Sequence, residues 1–240
     1  MKISNVASIV NTKIDASILT THTYISTECM LPNCGGIENC SSIPNGKVTS
    51  FDKNDILLSN IRPYFKKLWF STRSGGCSND VICLRVANRE CLPKYLYYAL
   101  CTDKFIDSFS ASSKGTKMPR GDKNALLTYE IPDRNIEDQL HIVDILGSID
   151  NSIEKSEQII SEIERLIHLQ FSVFYGGLTT KSTIGKEFEC CLGGTPKTTC
   201  PEYWDGNINW INSGEVNKLR ICNASKKISQ LGMEKSATKL

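Results

Sequence analysis

Apolar residues recur every seventh position through the middle of this chain. Leu146, Ile153, Ile160, Ile167 and Phe174 hold one register, and Ile142, Ile149 and Ile163 hold a second, with Ser156 and Gln170 as polar interruptions. A seven-residue repeat is close to two turns of α-helix, so these side chains fall on one stripe of a single helix. Glu, Asp and Lys occupy the flanks, and a narrow stripe between charged flanks reads as a coiled-coil seam. The competing reading is a long core helix of a larger bundle. The helix is expected over 133–177, entered after Pro132 and closed at Gly176-Gly177, glycine being suited to a left-handed C-terminal cap. About 40 residues at 1.5 Å each make a rod of roughly 60 Å. Leu146, Ile153, Ile160, Ile163, Ile167 and Phe174 are the expected helix-pairing interface.

Charge is segregated around this helix. Between Glu130 and Arg165 there are ten acidic and three basic residues, a local charge of −7 in a chain whose total is +2. Everything outside that segment therefore carries +9, an arrangement that lets one part meet a polyanion while another docks a protein. Two stretches hold the basic surplus without any acid. Residues 56–79 contain Arg62, Lys66, Lys67 and Arg73, interleaved with Tyr64, Phe65 and Trp69, and residues 108–121 contain Lys114, Lys117 and Arg120 among Ser and Gly. These seven cations are candidate polyanion-binding residues, and DNA-binding ones if the polyanion is a duplex, because basic side chains contact phosphate and arginine can also read base edges. Arg62, beside a proline, is the candidate base reader, and the lysines are candidate phosphate contacts. The three aromatic residues taken alone read as core.

Residues 1–132 read as an α+β domain. Short strands are expected at 47–51, 55–60, 67–72 and 80–86, separated by turn clusters such as Pro44-Asn45-Gly46 and Ser74-Gly75-Gly76. Pro93 opens a helical run that continues through Phe105 and Ile106, and 108–121 reads as an exposed loop. A further unit begins at Ser182. With roughly 100 residues needed to close a mixed core, 182–240 is expected to be incomplete.

The chain lacks the loops and triads of the common catalytic motifs: no P-loop, no dinucleotide fingerprint, no His-Glu-x-x-His and no Gly-x-Ser-x-Gly. Its eleven cysteines include no C-x-x-C pair and its three histidines are scattered, so no metal site and no catalytic residues are assigned. Cysteines in odd number without a secretory signal read as reduced, buried thiols in a cytoplasmic protein. No apolar run approaches the roughly 18 residues of a membrane span.

Taken together, these strings resemble the specificity (S) subunit of type I restriction-modification systems. Ser50-Phe51-Asp52, the run from Asp55 through Tyr64, and Ser78-Asn79-Asp80-Val81 are similar to strands and turns of that family's target-recognition domain. Gly115 through Arg120 and Tyr129-Glu130-Ile131-Pro132 resemble its approach to the spacer, and Glu137-Asp138-Gln139, Ile145-Leu146 and Ile149-Asp150 the opening of the spacer helix. Gly193-Gly194-Thr195-Pro196-Lys197, Tyr203-Trp204-Asp205-Gly206, Ile208-Asn209-Trp210-Ile211 and Ser213-Gly214 resemble the entry into a recognition domain. The resemblance implies a target-recognition domain with a mixed or antiparallel sheet, a coiled-coil spacer, and the start of a second recognition domain. It implies partners too: double-stranded DNA read as one half of a bipartite target, a methyltransferase subunit with S-adenosylmethionine, and a nuclease/translocase subunit with ATP and Mg. This chain would hold no cofactor itself. A full S subunit is nearly twice as long, so the unpaired seam suggests a homodimer. The rival expectations are a protein-interaction adaptor built on the same coiled coil, and a non-functional truncated S-subunit relic.

Overall fold

The computed structural model describes residues 1–115, 118–177, 182–217 and 220–238. Two compact units divide the chain, Met1–Ile163 and Glu164–Leu240.

The first unit opens with α1 (Ile3–Val6) and continues through eight strands: β1 (Ala7–Ile9), β2 (Lys13–Asp15), β3 (Tyr24–Ile25), β4 (Lys47–Phe51), β5 (Ile56–Ser59), β6 (Leu68–Phe70), β7 (Gly75–Cys77) and β8 (Val81–Val86). They form two four-stranded sheets. One, in the order β1-β8-β5-β6, is antiparallel throughout; the other, β2-β4-β7-β3, is antiparallel except for the parallel β7–β3 pair. The first sheet is buried on both faces, which explains why β5 and the start of β8 are continuous apolar runs rather than alternating ones. Ile56, Leu58, Leu68, Ile82 and Leu84 point to a core shared with the helices, while Leu57, Trp69, Val81 and Cys83 point to a second core shared with the other sheet. Period-two alternation along each strand divides them in this way.

The helical layer is α2 (Pro93–Leu100), α3 (Asp103–Ala111), α4 (Lys123–Thr128) and the root of α5 (Ile136–Tyr175). The sequence reading ran one helix from Pro93 past Ile106; the structure breaks it at Thr102, whose hydroxyl caps α3 by accepting from the amide of Phe105. The second helix then extends to Ala111, shortening the expected loop at 108–121. Two expectations about side chains are corrected. Trp69 is buried, but Tyr64 and Phe65 are 53% and 41% exposed, because they sit in a turn beyond the end of β5 rather than on a strand. The sulfurs of Cys29 and Cys40, expected as reduced thiols, are joined as a disulfide that closes the loop after β3.

The long helix runs from Ile136 to Tyr175. Asn135 accepts from the amide of Asp138, and Glu137 and Asp138 occupy the first turn, where negative charge is favourable. Its root is fixed to the head. Gln139, fully buried, accepts from the amide of Leu92 at 2.8 Å and donates to the carbonyls of Glu90 and Arg134. Ile142 and Val143 join the helical core, and Asp150 accepts from the Tyr98 hydroxyl at 2.6 Å beside Lys94. Every residue from 148 to 177 is exposed. No helix among the described residues is long and apolar enough to cross a membrane.

The second unit contains α6 (Ile184–Glu187), β9 (Trp204–Trp210), β10 (Lys226–Ile228) and α7 (Gln230–Glu234), with β9 and β10 antiparallel. The Gly-Gly-Thr-Pro and Tyr-Trp-Asp-Gly strings meet here: the indoles of Trp204 and Trp210 are edge-to-face at 5.3 Å and donate to the carbonyls of Lys197 and Gly194. A Cβ at Gly206 would lie 2.4 Å from the carbonyl oxygen of Ile228, so only glycine permits this crossing. Pro196, Ile228 and Gly232 are the buried positions among its described residues.

Candidate nucleic-acid interface

The two acid-free loops, some fifty residues apart in sequence, are joined by their backbones. After β5 the chain turns through a short 3-10 helix at Pro63–Phe65, and the amide of Arg62 donates to the carbonyl of Pro119 at 2.9 Å. Gly121 in return donates to the carbonyl of Asn60 at 3.0 Å, and Ile61 bridges Arg120. Lys114 and Arg120 exchange backbone hydrogen bonds across the second loop, closing it on itself. A Cβ at Gly121 would lie 2.0 Å from the Phe109 ring, so the close approach of the loop to α3 requires this glycine.

The turn is strained and yet fixed. Arg62 and Lys66, on either side of the 3-10 helix, have φ of 49° and 52°, the left-handed region that costs a side-chain-bearing residue about 1 kcal/mol or more. It persists because hydrogen bonds hold it from outside: the amides of Asn33 and Cys34 donate to the carbonyls of Phe65 and Lys66. Pro63 is buried beneath. At the junction the side-chain oxygen of Asn60 is buried without a hydrogen-bond partner, an arrangement that ordinarily costs 1–3 kcal/mol, to order of magnitude.

Of the seven candidate cations, Arg62, Lys66, Lys114 and Arg120 come together on these two loops. Arg62 is exposed and takes part in no salt bridge among the described residues. The others have acidic neighbours brought from outside the acid-free runs. Lys66 pairs with Asp103 at the start of α3, which raises the lysine above its ordinary range through that hydrogen bond. Lys114 lies 3.4 Å from Asp122, and Arg120 is 2.9 Å from Asp80. These pairs are solvent-accessible, so each is worth little and can be exchanged for a phosphate. Lys67 and Arg73 are placed differently. Lys67 donates to the carbonyl of Thr27, and Arg73 donates to that of His22 while lying over the Trp69 ring at 5.2 Å. Both therefore tie the 22–27 segment to the sheet. Lys117 lies outside the described residues.

The helix-pairing residues follow two regimes. Leu146 lines a cavity of about 610 Å³ at the helix root, with Tyr95, Tyr98, Tyr129 and Ile142. Ile153, Ile160, Ile163, Ile167 and Phe174 are 51–71% exposed. The bare face is also wider than the sequence reading held. Ile159, Leu166 and Val173, again seven apart and adjacent to the seam, are 47–75% exposed, so the distal half presents enough apolar width to contact more than one helix.

A mixed two-sheet head, with two basic loops joined by their backbones, and a bare heptad helix make up a fold that also characterises the proteins this chain resembles. A model of the type I restriction modification DNA specificity domain matches residues 9–165. The HsdS subunit from Thermoanaerobacter tengcongensis shares the fold with a TM-score of 0.52 at 15% identity, over 95% of this chain and 63% of that one. The type I restriction-modification system S subunit from M. genitalium does so with a TM-score of 0.54 at 16% identity, over 96% and 61%. This chain belongs to the type I restriction-modification DNA specificity family, and it spans about three-fifths of the length of these S subunits.

Proposed function

We propose that this chain reads one half of a bipartite DNA target through the surface formed by loops 60–66 and 114–121, and that its helix assembles the recognition unit with its partners. Chemistry belongs to other subunits: a methyltransferase subunit with S-adenosylmethionine and a nuclease/translocase subunit with ATP and Mg. The observation that carries this reading is the backbone fusion of the two basic loops, with Arg62 exposed between them. Arg62 reads a base edge, and Lys66, Lys114 and Arg120 exchange their aspartates for phosphates. The seam of Ile153, Ile160, Ile163, Ile167 and Phe174 pairs with a second spacer helix, which a second copy of this chain can supply. The added row of Ile159, Leu166 and Val173 seats the methyltransferase subunit. Residues 182–240 form the entry of a second recognition unit.

The test is selection from a randomised duplex library at physiological salt, with the methyltransferase subunit present. Enrichment of one short motif, or of a spaced pair, is expected. Binding without sequence preference would sink the reading. A second reading, the protein-interaction adaptor, draws on the pairing of Lys66, Lys114 and Arg120 with aspartates, which lowers the surplus positive charge; it requires indifference to duplex sequence.

A further inference from the structure

Two half-exposed aromatic rings stand on a turn of the head that is held by hydrogen bonds from neighbouring segments. Tyr64 and Phe65 are 53% and 41% exposed, with ring centroids 4.8 Å apart and planes tilted by 56°. Met118 on the adjoining loop is 50% exposed. Large apolar groups scattered singly on a monomer surface are ordinary, whereas a contiguous cluster of them marks an interaction site. Here the fixation is extensive. The turn is held by the amides of Asn33 and Cys34 and by the Arg62 to Pro119 hydrogen bond. Two side-chain-bearing residues are kept in the left-handed region to achieve this, and strain of this kind persists where the surroundings impose a particular presentation. The cations around the rings are largely paired with aspartates, so attraction to phosphate alone does not account for the surface.

We propose that Tyr64 and Phe65 act as a wedge that enters the duplex at one base step and partially unstacks it, with Arg62 placed to contact the adjoining base edge or phosphate. The inference rests on the DNA-reading function proposed above. Apolar side chains inserted between base pairs give up hydration and gain stacking, while the duplex loses part of its own stacking. A wedge works only when its rings are already ordered, because ordering them on binding would offset the gain. The strained, externally hydrogen-bonded turn provides that order in advance. Base faces stack on aromatic rings whatever the sequence, so the wedge fixes where the duplex opens and leaves base identity to Arg62.

The test uses the duplex enriched from the randomised library, synthesised with 2-aminopurine at each successive position and, separately, with a single mismatch at the responsive step. At saturating protein, fluorescence is expected to rise at one step only, and the mismatch is expected to tighten binding about tenfold, because part of the unstacking is already done. The Tyr64→Ala/Phe65→Ala variant gives up only the buried half of each ring and should still fold, melting a few degrees below wild type. It should still bind the paired duplex with the same salt dependence, and lose both the fluorescence rise and the preference for the mismatch. Sequence-selective binding with no responsive step, or equal loss of affinity for paired and mismatched duplexes in the variant, would overturn the wedge and leave the DNA reading standing. Loss of methyltransferase capture with DNA binding intact would assign the rings to a protein contact and overturn it as well. Failure of any motif to enrich would remove the DNA reading itself.

Discussion

Replacing Ile153, Ile160 and Ile167 together by serine removes the centre of the bare seam while leaving the helix able to form, because serine and isoleucine have similar helix propensities. These three side chains are 53%, 57% and 51% exposed, so about half of each remains to be buried by a partner. Full burial of an isoleucine is worth about 1.5–3 kcal/mol, and the remaining half is therefore worth about 1 kcal/mol per side chain. In a pairing of two copies the substitution acts on both helices, and the loss comes to about 6 kcal/mol, or about four powers of ten in dissociation constant. An association in the micromolar range would move beyond any accessible concentration. Sedimentation velocity over a dilution series, and co-purification with the methyltransferase subunit, would read both kinds of partner. Circular dichroism would verify that the helix remains. Association and capture both within threefold of wild type would refute the assignment of this stripe as the pairing surface.

Other substitutions probe the head. Asp55 is buried, accepts from Nε and Nη2 of Arg85 at 2.8 and 2.6 Å and from the amide of Asp52, and its pairing holds the Arg85 guanidinium above its ordinary range. Arg85→Ala strands a buried carboxylate and should cost about 3 kcal/mol in urea unfolding; Asp55→Ala should cost less, because the half-exposed Arg85 can turn to water, and the opposite ranking would count against the argument. Gly121→Ala forces Phe109 out of its buried site and should cost about 1–3 kcal/mol, together with weaker DNA binding; an unchanged melting temperature would show that the loops are not locked there. Asp122 caps α4, and the amides of Asn124 and Ala125 hold its carboxyl below the usual range. A carboxylate with a depressed folded-state pKa stabilises above its unfolded value and loses that effect as pH falls through the folded one. The melting-temperature gap between wild type and Asp122→Ala should accordingly close as the pH falls below about 4, and a gap that persists in acid would assign the effect to something other than this charge.

The heptad helix was legible because its periodicity is local, and the four main strands were legible because their apolar runs end at turn residues. The loop surface was legible only in part. An acid-free run describes charge along the chain, whereas the aspartates that meet Lys66 and Arg120 arrive from positions 103 and 80 through tertiary folding, and Asp122, next to the run, folds back on Lys114. The exposure of Tyr64 and Phe65 was hidden for a related reason: an aromatic pair beside a strand reads as core unless the left-handed turn at Arg62 is known. Gln139 carried no signal at all. A glutamine near the start of an acidic helix looks solvated, and its burial goes with the amide of Leu92 and the carbonyls of Glu90 and Arg134 that it bonds.

That glutamine bears on how the helix root is oriented against the head. An apolar contact alone tolerates rotation of a helix about its axis, since neighbouring residues of similar size can replace one another. Two hydrogen bonds from one buried side chain do not, because a rotation of one residue would part the buried Gln139 amide from the Leu92 amide and the Glu90 carbonyl, at about 1–3 kcal/mol each. Asp150, about three turns further along, accepts from Tyr98 and repeats the constraint at a second height. Two polar fixings on one face of the helix define both its rotation and its tilt. The root of the helix, from Gln139 to Asp150, is therefore held against the helical layer of the head.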